Sequence, residues 1–278
     1  HCNQPRAGAT SFQRNLKFLS IHRENSMKIH LLVAQMAAAF LLTFGTAAQA
    51  AEIRVLSSNV FKSVLEELAP QFEKATNNKI AFTFDTAASL KVQIEKGAAF
   101  DLAILTDGGI DDLIKQGKIS GATRTALVRS GAGVAVKKGA PKPDISTTEA
   151  FKRSLLAAKS VGYVEQGATG IYLKGLFQRL GIADELKPRL KMLDPKVGAG
   201  GAVSNGEVEI GLTQIPEILS FAGAELVGPL PAEIQVNTDF AAGVGANAKE
   251  ADGAKALLKF LATPASVSVI KVKGLVPR

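Results

Sequence analysis

Four short segments of this chain combine small side chains with hydroxyl, amide or glycine residues. They are Ser57-Ser58-Asn59-Val60, Thr86-Ala87-Ala88-Ser89, Gly167-Ala168-Thr169-Gly170 and Val197-Gly198-Ala199-Gly200-Gly201. Each is read as a loop leading into a helix, where unpaired backbone N–H groups and the helix dipole favour negative charge. Small side chains there let a ligand approach the amides. Taken singly, each segment is ordinary helix capping. Together they point to capture of a small anion, with Ser58, Asn59, Val60, Thr86, Ala87, Ala88, Ser89, Thr169, Gly170 and Val197 as candidate contacts.

Catalytic and metal chemistry has far less to build on. Ser268-Val269-Ile270-Lys271 matches Ser-x-x-Lys, but the companion Ser-Asp-Asn and Lys-Thr-Gly elements are missing. The pair Asp111-Asp112 sits at a helix start, where the dipole favours carboxylates anyway. No Walker-type phosphate loop occurs, and Gly198–Val203 breaks the dinucleotide fingerprint at its third glycine. All three histidines and the single cysteine precede residue 31, so a zinc or redox site further along lacks ligands. An enzyme on this framework would have to draw on Ser58, Ser89, Lys91, Asp107 or Glu165. Arg54, Arg124 and Arg129 could pair with a carboxylate ligand, but such residues more often serve the surface or the inter-lobe contact. The expectation is a binding protein without catalytic residues, metal or cofactor.

The elements that would hold these segments alternate strand and helix. Glu52–Ser57 reads as a buried strand, and Phe61, Val64, Leu65, Leu68, Phe72 and Ala75 recur at helical spacing. Pro70 should kink or interrupt that helix. Ile80, Phe82 and Phe84 alternate as a second strand; a helix over Leu90–Lys96 closes at Gly97. Asp101–Leu105 is a third strand, with a helix over Ile110–Gln116 stopping at Gly117. Further on come a strand near Val134–Lys137, a helix over Glu149–Lys159 behind the capping box Ser146-Thr147-Thr148-Glu149, and a strand at Val161–Val164. A helix over Ile171–Leu180 and a strand at Glu207–Thr213 follow. Helices at Ala248–Ala262 and Pro264–Lys273 close the chain, the second with Thr263 as N-cap and Pro264 at its first position. Strand–helix alternation implies parallel sheets covered by helices.

The first fifty residues read as removable. Met27-Lys28, the apolar run Leu31–Phe44 and Ala48-Gln49-Ala50 have the layout of a secretory signal cleaved after Ala50, and the apolar run is too short for a membrane span. Residues 1–26 show neither periodicity nor caps and read as an upstream or disordered segment. The leader holds five of the 33 basic and one of the 25 acidic residues, so half of the chain's +8 net charge lies outside it. The remaining charges are interspersed and no basic stripe alternates with aromatics, which argues against nucleic-acid binding. The expectation is an exported, periplasmic domain that relies on its apolar core and not on disulfides.

The chain resembles the periplasmic molybdate-binding protein family, within the type II periplasmic solute-binding proteins. The likeness runs through 51–278. It is carried by the first helix Phe61–Phe72, by Gln93-Ile94-Glu95-Lys96-Gly97-Ala98 leading to Phe100-Asp101-Leu102, and by Thr169-Gly170-Ile171-Tyr172 with Leu180-Gly181. Gly206–Gly211, Phe260-Leu261-Ala262-Thr263-Pro264 and Lys273-Gly274-Leu275 complete it. The resemblance implies an α/β, two-lobed fold, each lobe a mainly parallel sheet flanked by helices, with a ligand cleft between lobes. It assigns 51–130 plus 240–278 to lobe 1 and 131–239 to lobe 2, with crossings near Arg129–Val136 and Val236–Val244. It further implies a monomeric receptor that delivers a small anion to an inner-membrane ABC permease.

The sequence departs from that family at three positions. Hydroxyls of the first two loops and a tyrosine late in the second lobe help hold the oxyanion; motif alignment puts Val60, Ala87 and Gln214 there. Losing three neutral donors around a desolvated dianion costs several kcal/mol at roughly 1 or more each. Gln214 carries both donor and acceptor, which suits a small organic acid or another oxyanion; it could equally cap the helix that follows. The readings are therefore a receptor for a small anion, with molybdate or tungstate held by backbone amides and an organic carboxylate as alternatives. An enzyme and a sensor or adhesion module on the same fold stand behind these.

Overall fold

The computed structural model describes residues 52–278; the expected signal and upstream segments lie outside them. The first half begins with β1 (Glu52–Ser58), α1 (Lys62–Thr76), β2 (Lys79–Asp85), α2 (Ala87–Glu95), β3 (Leu102–Thr106) and α3 (Asp107–Lys115). β1 lies between β2 and β3, parallel to both. Strands buried on both faces read as continuous apolar runs, as Leu102-Ala103-Ile104-Leu105 does. One face of this sheet packs on α1 and the carboxy-terminal helices around Phe61, Phe72 and Phe240. The other packs on α2 and α3 around Leu90, Ile94 and Ile110.

β4 (Thr125–Lys137) is far longer than the expected strand at Val134–Lys137. It then leads through α4 (Thr148–Ala157), β5 (Val161–Tyr163), α5 (Ala168–Arg179), the short α6 (Ala183–Leu186) and β6 (Leu190–Met192). α7 (Gly198–Asn205), β7 (Ile210–Gln214), α8 (Ile215–Leu219) and β8 (Ala224–Pro229) complete the second half. Here β5 runs parallel to β6 and β7, with α4, α5 and α6 on one face and α7 and α8 on the other. The chain returns in β9 (Asn237–Val244), followed by α9 (Ala251–Leu261), α10 (Pro264–Val272) and the two-residue β10 (Val276–Pro277). No single described helix is long and apolar enough to cross a membrane.

Both halves are tied together by β4 and β9. β4 pairs antiparallel with β9 from Thr125 to Gly131, then with β7 from Ala132 and with β8 from Gly133. The sheet order is β2-β1-β3-β9-β4-β7-β5-β6, so each half keeps three parallel strands and the crossing strands make the sheet mixed. Gly133 marks the tight point: a Cβ there would lie 2.9 Å from Ile215 Cγ1 and 3.1 Å from Leu226 Cδ1.

Several local expectations shift. α1 runs through Pro70 without interruption; the buried face of Val64, Leu65, Leu68 and Phe72 holds the helix in place despite the hydrogen bond that Pro70 cannot make. α4 is capped by Thr147, whose Oγ1 accepts from Ala150 N at 3.1 Å, and not by Ser146, which turns to Asp144. Three of the four expected loops are partly α-helix: α2 begins at Ala87, α5 at Ala168 and α7 at Gly198. Thr263 caps α10 as expected, accepting from Ser266 N.

Asp101, fully buried, pins the carboxy-terminal segment to β1. Its Oδ2 accepts from Arg54 N at 2.8 Å and Arg54 Nε at 3.3 Å; its Oδ1 accepts from Lys249 N at 2.8 Å and Glu250 N at 3.2 Å. Burial pushes this carboxyl up, but the Arg54 side chain and the backbone N–H donors outweigh it and hold the pKa below the usual range. A depressed carboxyl stabilises the fold above its unfolded-state pKa, and that contribution is lost as pH falls through the folded value. Asp101→Ala is therefore expected to cost about 3 kcal/mol in urea unfolding at neutral pH. The deficit relative to the wild type should shrink on acidification; a pH-independent deficit would refute the charge-based account.

Candidate functional site

The ends of β1, β2, β5 and β7 and the helices that follow them meet where the two halves face each other. The cavity between them is lined by Ser58, Asn59 and Val60 after β1 and by Thr86 and Ala87 at the start of α2. From the other half come Gly167, Ala168, Thr169 and Gly170 at the start of α5, Gly198 of α7, and Thr213, Gln214 and Glu217 around the β7–α8 junction. Val164, Pro195, Leu212 and Phe240 fill in apolar wall. About 40 Å³ is open to the centre of a water molecule, room for about three waters. Asn59 Nδ2 donates across the cleft to Pro195 O at 3.3 Å, so the halves are in contact over this cavity.

Local structure explains why amides are presented here. Thr86 Oγ1 accepts from Ser89 N at 3.2 Å and starts α2 behind Ala87. Gly170 allows α5 to start against β5: a Cβ there would fall 2.0 Å from Val164 O, so no other residue fits. Gly200 does the same for α7, where a Cβ would meet Phe221 Cδ2 at 2.6 Å and Glu217 O at 2.7 Å.

Of the sequence candidates, Ser58, Asn59, Val60, Thr86, Ala87, Thr169, Gly170 and Gln214 line this one cavity. Three do not. Ala88 is exposed one position beyond Ala87, Ser89 Oγ donates to Asp85 Oδ2 at 2.6 Å, and Val197 lines a neighbouring cavity. Helix geometry turns Ala88 and Ser89 away once Ala87 faces inward, and Val197 precedes the α7 turn that reaches the site. Of the alternative enzyme residues, Ser58 lines the cavity and Ser89 is turned to Asp85, while the three charged ones are paired elsewhere. Lys91 pairs with Glu95 and Asp112, Asp107 with Arg124 and Arg278, and Glu165 with Lys174. Arg54, Arg124 and Arg129 are engaged by Asp101, Asp111 and Asp239. Among the described residues, no group of three or more His, Cys, Asp or Glu is placed to hold a metal ion.

Gln214, 2 % exposed, is the N-cap of α8 and stands in a capping box with Glu217, but its side-chain amide makes its close hydrogen bonds elsewhere. Its Nε2 donates to Thr169 Oγ1 at 2.8 Å and to Thr238 Oγ1 at 3.2 Å, and its Oε1 has no partner. An unpartnered buried carbonyl costs about 1–3 kcal/mol. Threonine hydroxyls both donate and accept, so the amide can present either end while keeping both threonines satisfied.

Glu217 is the one ionisable side chain lining the cavity, and sequence reasoning missed it. It sits in the first turn of α8, where its Oε2 accepts from Thr213 Oγ1 and from Gln214 N at 3.4 Å. The spacing Gln214-x-x-Glu217 is a helix-start pattern and was the available signal. Burial pushes the Glu217 carboxyl above its ordinary range, with the Thr213 and Gln214 donors opposing.

The chain can now be placed among known proteins. The model of the bacterial extracellular solute-binding protein family matches residues 53–276. The chain belongs to that family. An aconitate isomerase from Pseudomonas sp is 31% identical over 231 residues, covering 81% of this chain and 87% of that protein. The molybdate-binding protein ModA of Escherichia coli (strain K12) is 26% identical over 247 residues, covering 87% of this chain and 96% of that one. The structure of the Azotobacter vinelandii periplasmic molybdate-binding protein superposes with a TM-score of 0.68 at 20% identity, over 81% of this chain and 98% of its own. This solute-binding protein thus has the molybdate-binder fold with Val60, Ala87 and Gln214 in its cavity.

Because the Glu217 pKa is raised on folding, the native state holds a proton that the unfolded chain releases. Stability then falls as pH rises from the ordinary carboxylate range through the raised folded value. Glu217→Gln should flatten this slope in thermal unfolding across pH 4–8 (roughly the window in which a raised carboxyl titrates). An unchanged slope would show that another group sets it.

Proposed function

We propose that this protein is the periplasmic receptor of an ABC importer and captures a small organic carboxylate between its two halves. Its ligand positions are Ser58, Asn59, Val60, Thr86, Ala87, Thr169, Gly170 and Gln214. Helix-start amides and short polar side chains replace the water around the anion, and closure of the halves distinguishes loaded from empty receptor for the permease, a population shift driven by differential affinity. The observation that carries the carboxylate reading is the unpartnered Gln214 Oε1. Molybdate, tungstate and a fully ionised carboxylate without a hydroxyl offer only oxygen acceptors, so this carbonyl favours a ligand that can also donate a hydrogen bond. A hydroxy acid or a protonated carboxyl can donate to it. The absence of a hydroxyl at Val60 and Ala87 further weakens an oxyanion site, and the relative named aconitate isomerase supports a carboxylic-acid ligand.

A second reading, an isomerase on the same framework, is favoured by that relative and by Glu217, a cavity carboxyl with a raised pKa suited to proton transfer. The receptor reading expects trans-aconitate to be recovered unchanged after incubation with the protein; its conversion to the cis isomer, followed by NMR and abolished in Glu217→Gln, would establish the enzyme instead.

A thermal-shift panel of molybdate, tungstate, sulfate, phosphate and C3–C6 mono-, di- and tricarboxylates tests the ligand class. A ligand at about a thousand times its dissociation constant adds roughly 4 kcal/mol. The expected result is a raised Tm with a carboxylate, weakened by Gln214→Ala, and none with molybdate. Stabilisation by molybdate and tungstate alone would overturn the carboxylate reading.

A further inference from the structure

The central cavity has no basic side chain and is small for a polycarboxylate, so a longer ligand must reach out of it. Two cavities flank it. One shares Ala87 and Ala168 with the centre and contains Lys91. That ammonium is already committed, 2.9 Å from Glu95 and 3.5 Å from Asp112. The other flank shares Asn59, Pro195, Gly198 and Glu217 with the centre, offers about 180 Å³, and carries Lys62 and Lys196. Lys62 leans on Glu66 at 3.8 Å and lies 5.7 Å from the Phe84 ring centroid. Lys196 makes no ion pair among the described residues. Its backbone N–H donates to Asp194 Oδ1 at 2.8 Å, which fixes the turn that carries it.

Resting on the carboxylate reading of the central cavity, we infer that the flank beside Asn59 and Gly198 is a subsite for the distal carboxylate of a di- or tricarboxylate, with Lys196 as its specificity-determining cation. One carboxylate occupies the centre, which holds no cationic side chain, among the helix-start amides. The carbon chain passes Gly198, which lines both cavities, and the second carboxylate meets Lys196. Phe221 and Gly200 form the apolar back of the flank. Of the two carboxyls lining the flank, the exposed Glu66 leans on Lys62 and Glu217 is turned to Thr213 Oγ1 and Gln214 N. The subsite selects ligands by length and charge, a property the central cavity cannot supply with neutral donors alone.

Isothermal titration of the full chain with propane-1,2,3-tricarboxylate, glutarate and butyrate tests this. The wild type should bind the tricarboxylate and glutarate more tightly than butyrate. Lys196→Ala should lower the glutarate-to-butyrate affinity ratio about fivefold, as expected for a partly exposed ion pair, and Lys196→Glu should lower it further. Rising salt should erode the ratio in the wild type but not in Lys196→Ala. A ratio unmoved by both substitutions, with carboxylates still bound, overturns the subsite and leaves the carboxylate receptor standing. Failure of the wild type to bind any of these three, or any carboxylate or hydroxy acid of the thermal-shift panel, removes the carboxylate reading and the subsite with it.

Discussion

Every part of the site depends on how β4 satisfies its backbone hydrogen bonds. A strand of 13 residues presents donors and acceptors on two edges, and buried ones must be paired. β4 meets this demand by changing partners near Gly131 and Ala132, from β9 and β10 in the first half to β7 and β8 in the second. The two halves therefore share a continuous strand, and the helix starts on either side face one another across it. Gly133 allows Ile215 and Leu226 to pack directly on β4, which brings the β7–α8 junction, with Gln214 and Glu217, to the cleft.

Charge near this crossing is spent on structure. Arg129 on β4 pairs with Asp239 on β9, and Arg278 bridges Asp239 and Asp107. Partly exposed pairs of this kind contribute little each, but they leave these arginines engaged away from the cleft. The cavity is consequently walled by amides, hydroxyls and methyl groups, with Glu217 as its one ionisable group. A wall without a cationic side chain suits reversible capture: a fully desolvated ion pair would resist release, whereas amides and hydroxyls trade water for ligand at modest cost in either direction.

Three departures from the molybdate-binder pattern act on this wall in different ways. Val60 turns part of its side chain to the core of the first half, and Ala87 simply leaves space. Gln214 alone brings a new polar group, and it is held from two sides, by Thr169 on α5 and Thr238 on β9. Its orientation is therefore coupled to both halves, since Thr238 lies on a crossing strand.

Much of this architecture was legible in the residues. Strand–helix alternation, the cap at Thr263 and the small-residue helix starts are decided by contacts within a few residues, so periodicity and capping reveal them. β6, β8 and the full reach of β4 were not legible, because their pairing partners are distant in the chain and their patterns are short. The same limit governs the site. The sequence by itself determined that small, polar helix starts were available for an anion. Only the tertiary structure decided which side chains face the cavity, turned Ser89 to Asp85, joined Gln214 to a threonine 45 residues away, and set the half-buried Glu217 beside it. Those outcomes follow from packing between elements far apart in sequence, which no local pattern records.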